Sequence, residues 1–563
     1  MQLKRLSDLF WKISPNLYFL SLVLGVVTGL CYSLLVPFLM YSINARVDDA
    51  VSNATHGFSF FDSPTSTLGM LFLVTCASIV IIKTVSTTLS MYVANRASVE
   101  HRLWLYRRIQ HLKLADLERI GQARLFNVLN IDIPAVTAAA VNLPQIWISC
   151  VTVLGVLGYL VHLNFRVFGF VVMCILIAVI TNQLPLIFAQ RLFRRSRESY
   201  DRVQQGVTGL ILGAKELKLN RIKADAFYQN DLLGPEHTAL GDNLKGHSLV
   251  ILLACYGDIL SFLIVSIVVF HFRYTFSLTP AELLGLSMAL LYLAGPVSTV
   301  LNVMGGVQHG KTSLRKLQGL YAELVDEAVV EAEPLPNGWD QIVVRDLCYA
   351  YGDGPNGFAV QNVNLQFPRG AVSFIIGGNG SGKSTLGKCL SFLYFPTSGH
   401  IAIGDTVVNR DNVEAARQCV SAIFPDFYLF KKLYAGCDAD TQAMIKTYLG
   451  YLQLEHKVVV VDDEFSTIEL SEGQRKRLAL LVTLMENRDI CVFDEWAADQ
   501  DPAFKEIFYS IILQDMKRKN RVVIVISHDD RYFNYADQII TMESGKVVAS
   551  RSNQQYARMA VNS

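Results

Sequence analysis

The stretch Gly377-Gly378-Asn379-Gly380-Ser381-Gly382-Lys383-Ser384-Thr385 follows directly on the apolar run Val372–Ile376. An apolar strand that breaks into a glycine-rich turn and then a helix leaves bare backbone N–H groups at a helix N-terminus, where they can wrap phosphate oxygens. Lys383 is placed to neutralise the β- and γ-phosphates and Ser384 to ligate Mg²⁺. Further along, Leu470-Ser471-Glu472-Gly473-Gln474 offers a second hydroxyl and backbone N–H at a helix start. After it, Cys491-Val492-Phe493 ends on the carboxylates of Asp494 and Glu495.

Asp494, at the end of an apolar run, is the residue expected to hold Mg²⁺, directly or through water. Glu495, next to it, is the expected general base for an attacking water. His528 follows a third apolar run, Val522–Ser527, and is expected to contact the γ-phosphate. Together these segments resemble an ABC-type ATPase, and the resemblance implies ATP and Mg²⁺ as ligands. It also implies that Ser471, Gly473 and Gln474 meet a γ-phosphate bound by another subunit, and that Asp501 is the last aspartate of an inter-subunit loop. Ser471 and Gln474 equally fit a helix capping box, and a capped helix start is itself an anion site. Tyr351 is the expected adenine-stacking ring, with Tyr349 as the competing aromatic.

The chain has 563 residues, of which 52% are hydrophobic and only 18% charged, and its mean hydropathy is +0.32. That is too apolar for one water-soluble domain. A net charge of +1 gives no basic surplus for nucleic acid, so none is expected as a partner. Ten cysteines lie scattered, with no pairing at metal-ligand spacing, and read as small hydrophobes.

Six stretches reach the length needed to cross hydrocarbon, at about 17–43, 68–93, 143–161, 167–189, 248–270 and 283–307. The first is too long for a signal peptide and reads as a permanent span. Lys and Arg crowd the connections from Arg96 to Arg124 and from Arg191 to Lys245, whereas the other loops carry only Arg46, Arg166 and Arg273. Positive charge on the inside therefore puts both termini and the ATPase in the cytoplasm of a multi-pass membrane protein. The two basic connections keep helical patterning, and the segments 115–121 and 213–227 resemble the coupling segments of ABC exporters.

The expected fold class is a six-helix all-α transmembrane domain with long cytoplasmic helical stalks, followed by an α/β ATPase domain. Its expected bounds are 1–322 for the membrane domain, 323–340 for a linker containing Pro334 and Pro336, 341–549 for the ATPase and 550–563 for a tail.

Three departures from the common ABC pattern stand out. Pro425 falls where most such families place a glutamine near Mg²⁺, which leaves Asp426 or water as the substitute. The signature carries Glu472. Asp494-Glu-Trp-Ala-Ala-Asp-Gln-Asp-Pro502 replaces the familiar Asp-Glu-Ala-Thr-Ser-Ala-Leu-Asp. With Lys215–Leu219 and Gln474–Leu480, this segment is similar to the bacterial cyclic-peptide exporters, a group that includes exporters of syringopeptin-like lipopeptides, lasso microcins and pyoverdine precursors. The resemblance implies a homodimeric half-transporter that exports a peptide-derived metabolite across the lipid bilayer by alternating access. A siderophore importer on the same fold and a lipid flippase stay open as alternatives. Lys83 and Asp258, charged residues inside spans, are the expected markers of the substrate path, with snorkelling of Lys83 and an interhelical hydrogen bond of Asp258 as the open alternatives.

Overall fold

The computed structural model describes residues 14–52, 64–275, 278–324, 338–351, 359–434 and 439–552. The side chains of 43–52, 64–66, Asn182, Asp258, Ala359 and 439–440 are outside the description, as are residues 325–337 of the expected linker and 553–563 of the expected tail. Arg46 and Asp258, both named above, therefore fall outside the described side chains.

Two compact units form. One contains the chain through Trp104 together with Phe126–Glu323, and the other contains Leu105–Leu125 together with the chain from Leu324. The first unit holds the long helices α1 (Pro15–Ser52), α2 (Pro64–Gln110), α4 (Gln122–Leu163), α5 (Phe165–Leu212), α7 (Arg221–Thr275) and α8 (Pro280–Glu323), except that the end of α2 from Leu105 and the start of α4 to Leu125 belong to the second. Two short helices separate them: α3 (Leu114–Ile120), which packs with the second unit, and α6 (Ala214–Leu219). Each of the six long helices is apolar and long enough to cross a membrane. At 47 residues, α2 is about 70 Å long, more than twice a hydrocarbon core of about 30 Å. A single crossing would use less than half of that length.

Burial shows which solvent these helices suit. Leu71, Val74, Val80 and Ile81 on α2 are all more than half exposed. Left in water, each such side chain would forgo roughly 1.5–3 kcal/mol of burial; in lipid there is no such loss. The inward faces pack Val36 and Met40 of α1 against Val156 and Leu160 of α4, Val167 and Val171 of α5, and Leu286 and Leu290 of α8. Hydroxyls join helices where the hydrophobic effect cannot: Ser86 Oγ donates to the Ser21 carbonyl at 2.7 Å, and Thr152 Oγ1 to the Gly29 carbonyl at 3.3 Å.

The second unit is an α/β domain. Its antiparallel sheet has the order β2-β1-β4-β5, from β1 (Gln341–Ala350), β2 (Ala359–Pro368), β4 (Ser398–Ile403) and β5 (Thr406–Val407). The larger sheet has the order β12-β11-β3-β10-β9-β6, where β3 is Ala371–Gly377, β6 Val420–Ile423, β9 Ile490–Asp494, β10 Val522–Ile526, β11 Gln538–Glu543 and β12 Lys546–Ser552. Every residue of β9 and β10 is buried, as expected of parallel strands covered on both faces. One core lies around the antiparallel sheet and helix α9 (Lys383–Leu390). Another joins the larger sheet to α11 (Ala439–Tyr451), which follows α10 (Val413–Gln418), and to α12 (Glu472–Glu486).

Candidate nucleotide site

Strand β10 pairs in parallel with β3 on one side and β9 on the other, and Ile526 stands opposite both Ile375 and Asp494. Parallel pairing brings three carboxyl ends to one edge of the sheet: the glycine-rich loop after β3, Asp494 and Glu495 after β9, and Ser527 and His528 after β10. In open α/β sheets that edge is where ligands bind.

The loop is built around its glycines. Gly377 has φ +148°, and a Cβ there would lie 2.2 Å from the Met542 carbonyl oxygen of β11. Gly382, left-handed at φ +99°, turns the chain into α9. Lys383 is buried, and its Nζ donates to the carbonyls of Gly377 at 3.0 Å and Gly378 at 2.8 Å. Burial pulls its pKa below the usual lysine value, opposed by the charges of Glu495 and Asp494.

Asp494 is almost wholly buried, and neither carboxylate oxygen has a hydrogen-bond partner. Burial raises its pKa above the usual aspartate value, with the Ser384 side chain opposing it. Ser381 Oγ is likewise buried and unpaired. Orphaned polar groups of this kind cost about 1–3 kcal/mol each unless a ligand satisfies them. A hard cation beside Asp494 and Ser384, with phosphate oxygens in the loop, would satisfy them, so the donor set fits Mg²⁺ and a nucleotide.

Glu495 has φ +50°, a left-handed conformation that is unfavourable for a glutamate and marks a functional position. Its N–H donates to the Ile526 carbonyl at 3.0 Å, and its Oε1 lies 3.2 Å from His528 Nε2. Two residues far apart in sequence thus meet at the sheet edge. Asp529, next to His528, has its carboxyl held down to about 2, chiefly by hydrogen bonds from Arg531, with Lys505 adding to it.

Ser471 caps α12, and Gln474 Oε1 accepts from its N–H at 3.4 Å, completing the capping box. The same helix holds the unusual segment after Glu495. Lys476 donates to Asp499 at 2.6 Å and to the Glu495 carbonyl at 3.3 Å, while buried Trp496 donates its Nε1–H to the Lys476 carbonyl at 2.8 Å. Gln500 Nε2 donates to the Gly473 carbonyl at 2.9 Å, and Arg477 reaches Gln500 and Asp501. Asp501 caps α13 (Pro502–Ile507) by accepting from Phe504 N–H, and that bond first, then Arg477, lowers its pKa. Sequence reading found the segment unusual but missed Lys476 and Asp499; their complementary charges, in two adjoining motifs, were the available signal.

The aromatic pair separates by environment. Tyr349 is buried and stacks on Tyr394 with ring centres 4.7 Å apart. Tyr351 is exposed, and its hydroxyl lies 3.3 Å from Thr385 Oγ1 in the loop. Of the two rings, Tyr351 has the free face. Asp426 lies exposed in the turn after β6; the pKa of nearby Lys388, lowered by burial, is raised overall chiefly by Glu118, and Asp426 adds the smallest share. Asn379 and Gly380 lie in the turn before α9.

In the first unit, α5, α7 and α8 line a cavity of about 680 Å³. Its apolar body includes Val171, Ile175, Leu253, Leu260, Leu293 and Val297, and its polar lining includes Gln190, Arg194, Arg197, Asn302, Gln308 and His309. Lys83 is not among the lining residues and instead donates to the Tyr32 hydroxyl at 3.3 Å. Its ammonium group also lies 5.3 Å from the centre of the Tyr32 ring on the neighbouring helix. Gly257, adjoining Asp258, does line the cavity.

A family model described as "ABC transporter" matches residues 360–498. The "ATP-binding protein SyrD" of Pseudomonas syringae pv. syringae is 28% identical over 557 residues, covering 96% of this chain and 95% of that one. The "Energy-coupling factor transporter ATP-binding protein EcfA2" of Leuconostoc mesenteroides subsp. mesenteroides is 36% identical over 211 residues, covering 34% of this chain and 71% of that one. A solved bacterial Atm1-family ABC exporter with ATP bound shares the fold with a TM-score of 0.76 at 17% identity, covering 96% of both chains. Among the described residues, six helices long and apolar enough to cross a membrane precede an ATPase whose loop, acidic pair and signature share one domain, and this chain belongs to the ABC transporter family as an exporter-fold protein that couples ATP hydrolysis to transport.

Proposed function

We propose that the chain acts as a homodimer that exports a peptide-derived metabolite, such as a cyclic peptide, lasso peptide or siderophore precursor, out of the cytoplasm across a bacterial inner membrane. The cavity between α5, α7 and α8 carries this reading. An apolar body ending in amides and guanidinium groups suits a cargo that pairs hydrophobic side chains with backbone amides and acidic groups. The exporter fold, shared along nearly the whole chain with a solved Atm1-family ABC exporter, supports an export machine.

The chain's two unlike faces support dimerisation. The loop 377–385 and the signature 471–474 make no hydrogen bond to each other among the described residues, so each needs a counterpart in a second copy. Helix α6 and the helix ends beside it support this reading: Leu212 at the end of α5, Leu219 on α6 and Ile222 at the start of α7 are each more than three-quarters exposed amid Lys215, Lys218 and Lys223. Apolar side chains there want a protein partner.

In each site, Lys383 and the loop N–H groups hold the phosphates, Tyr351 stacks on adenine, and Ser384 with Asp494 would hold Mg²⁺. The metal, when bound, neutralises charge on the phosphate oxygens. Glu495 draws the proton of the attacking water, and His528 orients Glu495 and reaches towards the γ-phosphate. Ser471 and Gly473 of the second copy close the site. ATP binding joins the two ATPase domains and turns the cavity outward; hydrolysis separates them.

Inside-out membrane vesicles test the direction and the cargo together. ATP-driven uptake of a cyclic peptide, lasso peptide or siderophore precursor, lost in Glu495→Gln, is the expected result. ATP-driven loss of cargo from the vesicles would establish import, and movement of labelled lipid alone would establish a flippase.

A further inference from the structure

Helix α3 packs onto the ATPase unit through Leu114 and Ala115, which lie against the core under the antiparallel sheet. Beyond that apolar contact, Glu118 reaches two side chains at once. Its Oε1 accepts from Lys388 Nζ at 2.9 Å, and its Oε2 accepts a short hydrogen bond from the hydroxyl of buried Tyr394. Lys388 also lies 5.1 Å from the centre of the Tyr394 ring. The Tyr394 hydroxyl in turn stands 3.4 Å from that of Tyr351, and Tyr351 stands 3.3 Å from Thr385 Oγ1.

Donor counting gives this chain a direction. A phenol has one proton to give. Tyr394 gives its proton to the Glu118 carboxylate, so Tyr351 must donate to Tyr394, and Thr385 must donate to Tyr351. The order Thr385 to Tyr351 to Tyr394 to Glu118 is thus set by one negative charge at the far end. Lys388, on the same helix as Thr385, fixes that charge in place. Bonds in such a series polarise one another, and a hydrogen bond to an ionised group is stronger than one between neutral partners.

We propose that Glu118 is a positioning residue for ATP: through Tyr394 its carboxylate orients Tyr351 and Thr385, so that helix α3 and the nucleotide site are energetically coupled. Glu118 need not touch the nucleotide to set its affinity. By linkage, a nucleotide that reorients Tyr351 or Thr385 must change the hold on α3 by the same free energy. The proposal rests on nucleotide binding at the loop 377–385, which Lys383→Ala tests separately.

The experiment is equilibrium binding of a fluorescent ATP analogue to the full chain in detergent, in a Glu495→Gln background that prevents turnover. Glu118→Gln and Tyr394→Phe are each expected to weaken binding about fivefold to tenfold. The double variant should bind like either single one, because both break the same series. Arg119→Gln, on an exposed residue of the same helix that pairs with Asp116, should bind as the parent does. Thermal unfolding midpoints verify that each variant is folded. If Tyr394→Phe does not fold, Tyr351→Phe replaces it, since the ring is kept and only the hydroxyl is lost. Binding within twofold of the parent in Glu118→Gln, or losses that multiply in the double variant, would overturn the proposal.

Discussion

Lys476 Nζ lies 2.6 Å from Asp499 Oδ2, and the lysine is buried while the aspartate is half exposed. The pair is therefore asymmetric: removing the exposed carboxylate strands a buried cation, whereas removing the cation leaves a carboxylate that water can reach. Because Lys476 also donates to the Glu495 carbonyl, the same pair fixes the peptide of the expected base. Asp499→Ala is expected to destabilise the chain by about 3 kcal/mol and Lys476→Met by clearly less. Denaturant unfolding of the two variants side by side decides this, and the reverse order would refute the asymmetry.

Glu495→Gln should reduce ATP turnover by at least about a hundredfold while nucleotide binding persists, because the carboxylate acts on water and not on the nucleotide. Lys383→Ala should do the opposite, weakening binding itself by removing the only lysine that the described structure places in the loop. Measuring hydrolysis and equilibrium binding for both variants separates the roles. Wild-type turnover in Glu495→Gln would exclude it as the base.

Much of this site was legible in the sequence. Val372–Ile376, Ile490–Phe493 and Val522–Ile526 are unbroken apolar runs, as parallel strands buried on both faces must be, and each ends on polar residues. Parallel pairing then fixes that Gly377, Asp494 and His528 share an edge. The bonds of Glu118 to Lys388 and Tyr394 were not legible, because they join an isolated seven-residue helix to partners 270 and 276 positions away with no periodic signal. The contact of Lys83 with Tyr32 was not legible for a related reason: it depends on how α1 and α2 pack, which hydropathy does not reveal.

Tyr349 and Tyr351 are two positions apart and should fail differently. Tyr349→Ala removes a buried ring stacked on Tyr394 and is expected to cost about 3–5 kcal/mol of stability. Tyr351→Ala removes an exposed ring and should leave unfolding nearly unchanged while weakening ATP binding roughly tenfold, by loss of stacking on adenine. Unaltered ATP affinity in Tyr351→Ala would transfer the base-stacking role elsewhere.

The loop of His528 carries a pH signature. Hydrogen bonds from Arg531, with the Lys505 ion pair at 3.1 Å, hold the Asp529 carboxyl at about 2, against an ordinary value of 3.8. A carboxyl whose pKa is depressed by folding binds its proton less readily in the native state than in the unfolded one. Its stabilisation is therefore complete above about pH 4 and is lost as pH falls towards about 2. The shift corresponds to something on the order of 2 kcal/mol at neutral pH. Asp529→Asn should lower stability by up to that amount at pH 7 and by almost nothing at pH 2, so the difference between parent and variant shrinks across this window. Denaturant midpoints measured between pH 7 and pH 2 check it. Because Asp529 N–H also donates to Ser527 Oγ at 3.1 Å, the variant isolates the carboxylate's charge from the backbone bond that shapes the loop. A stability gap that stays constant with pH would mean that Arg531 and Lys505 contribute packing alone.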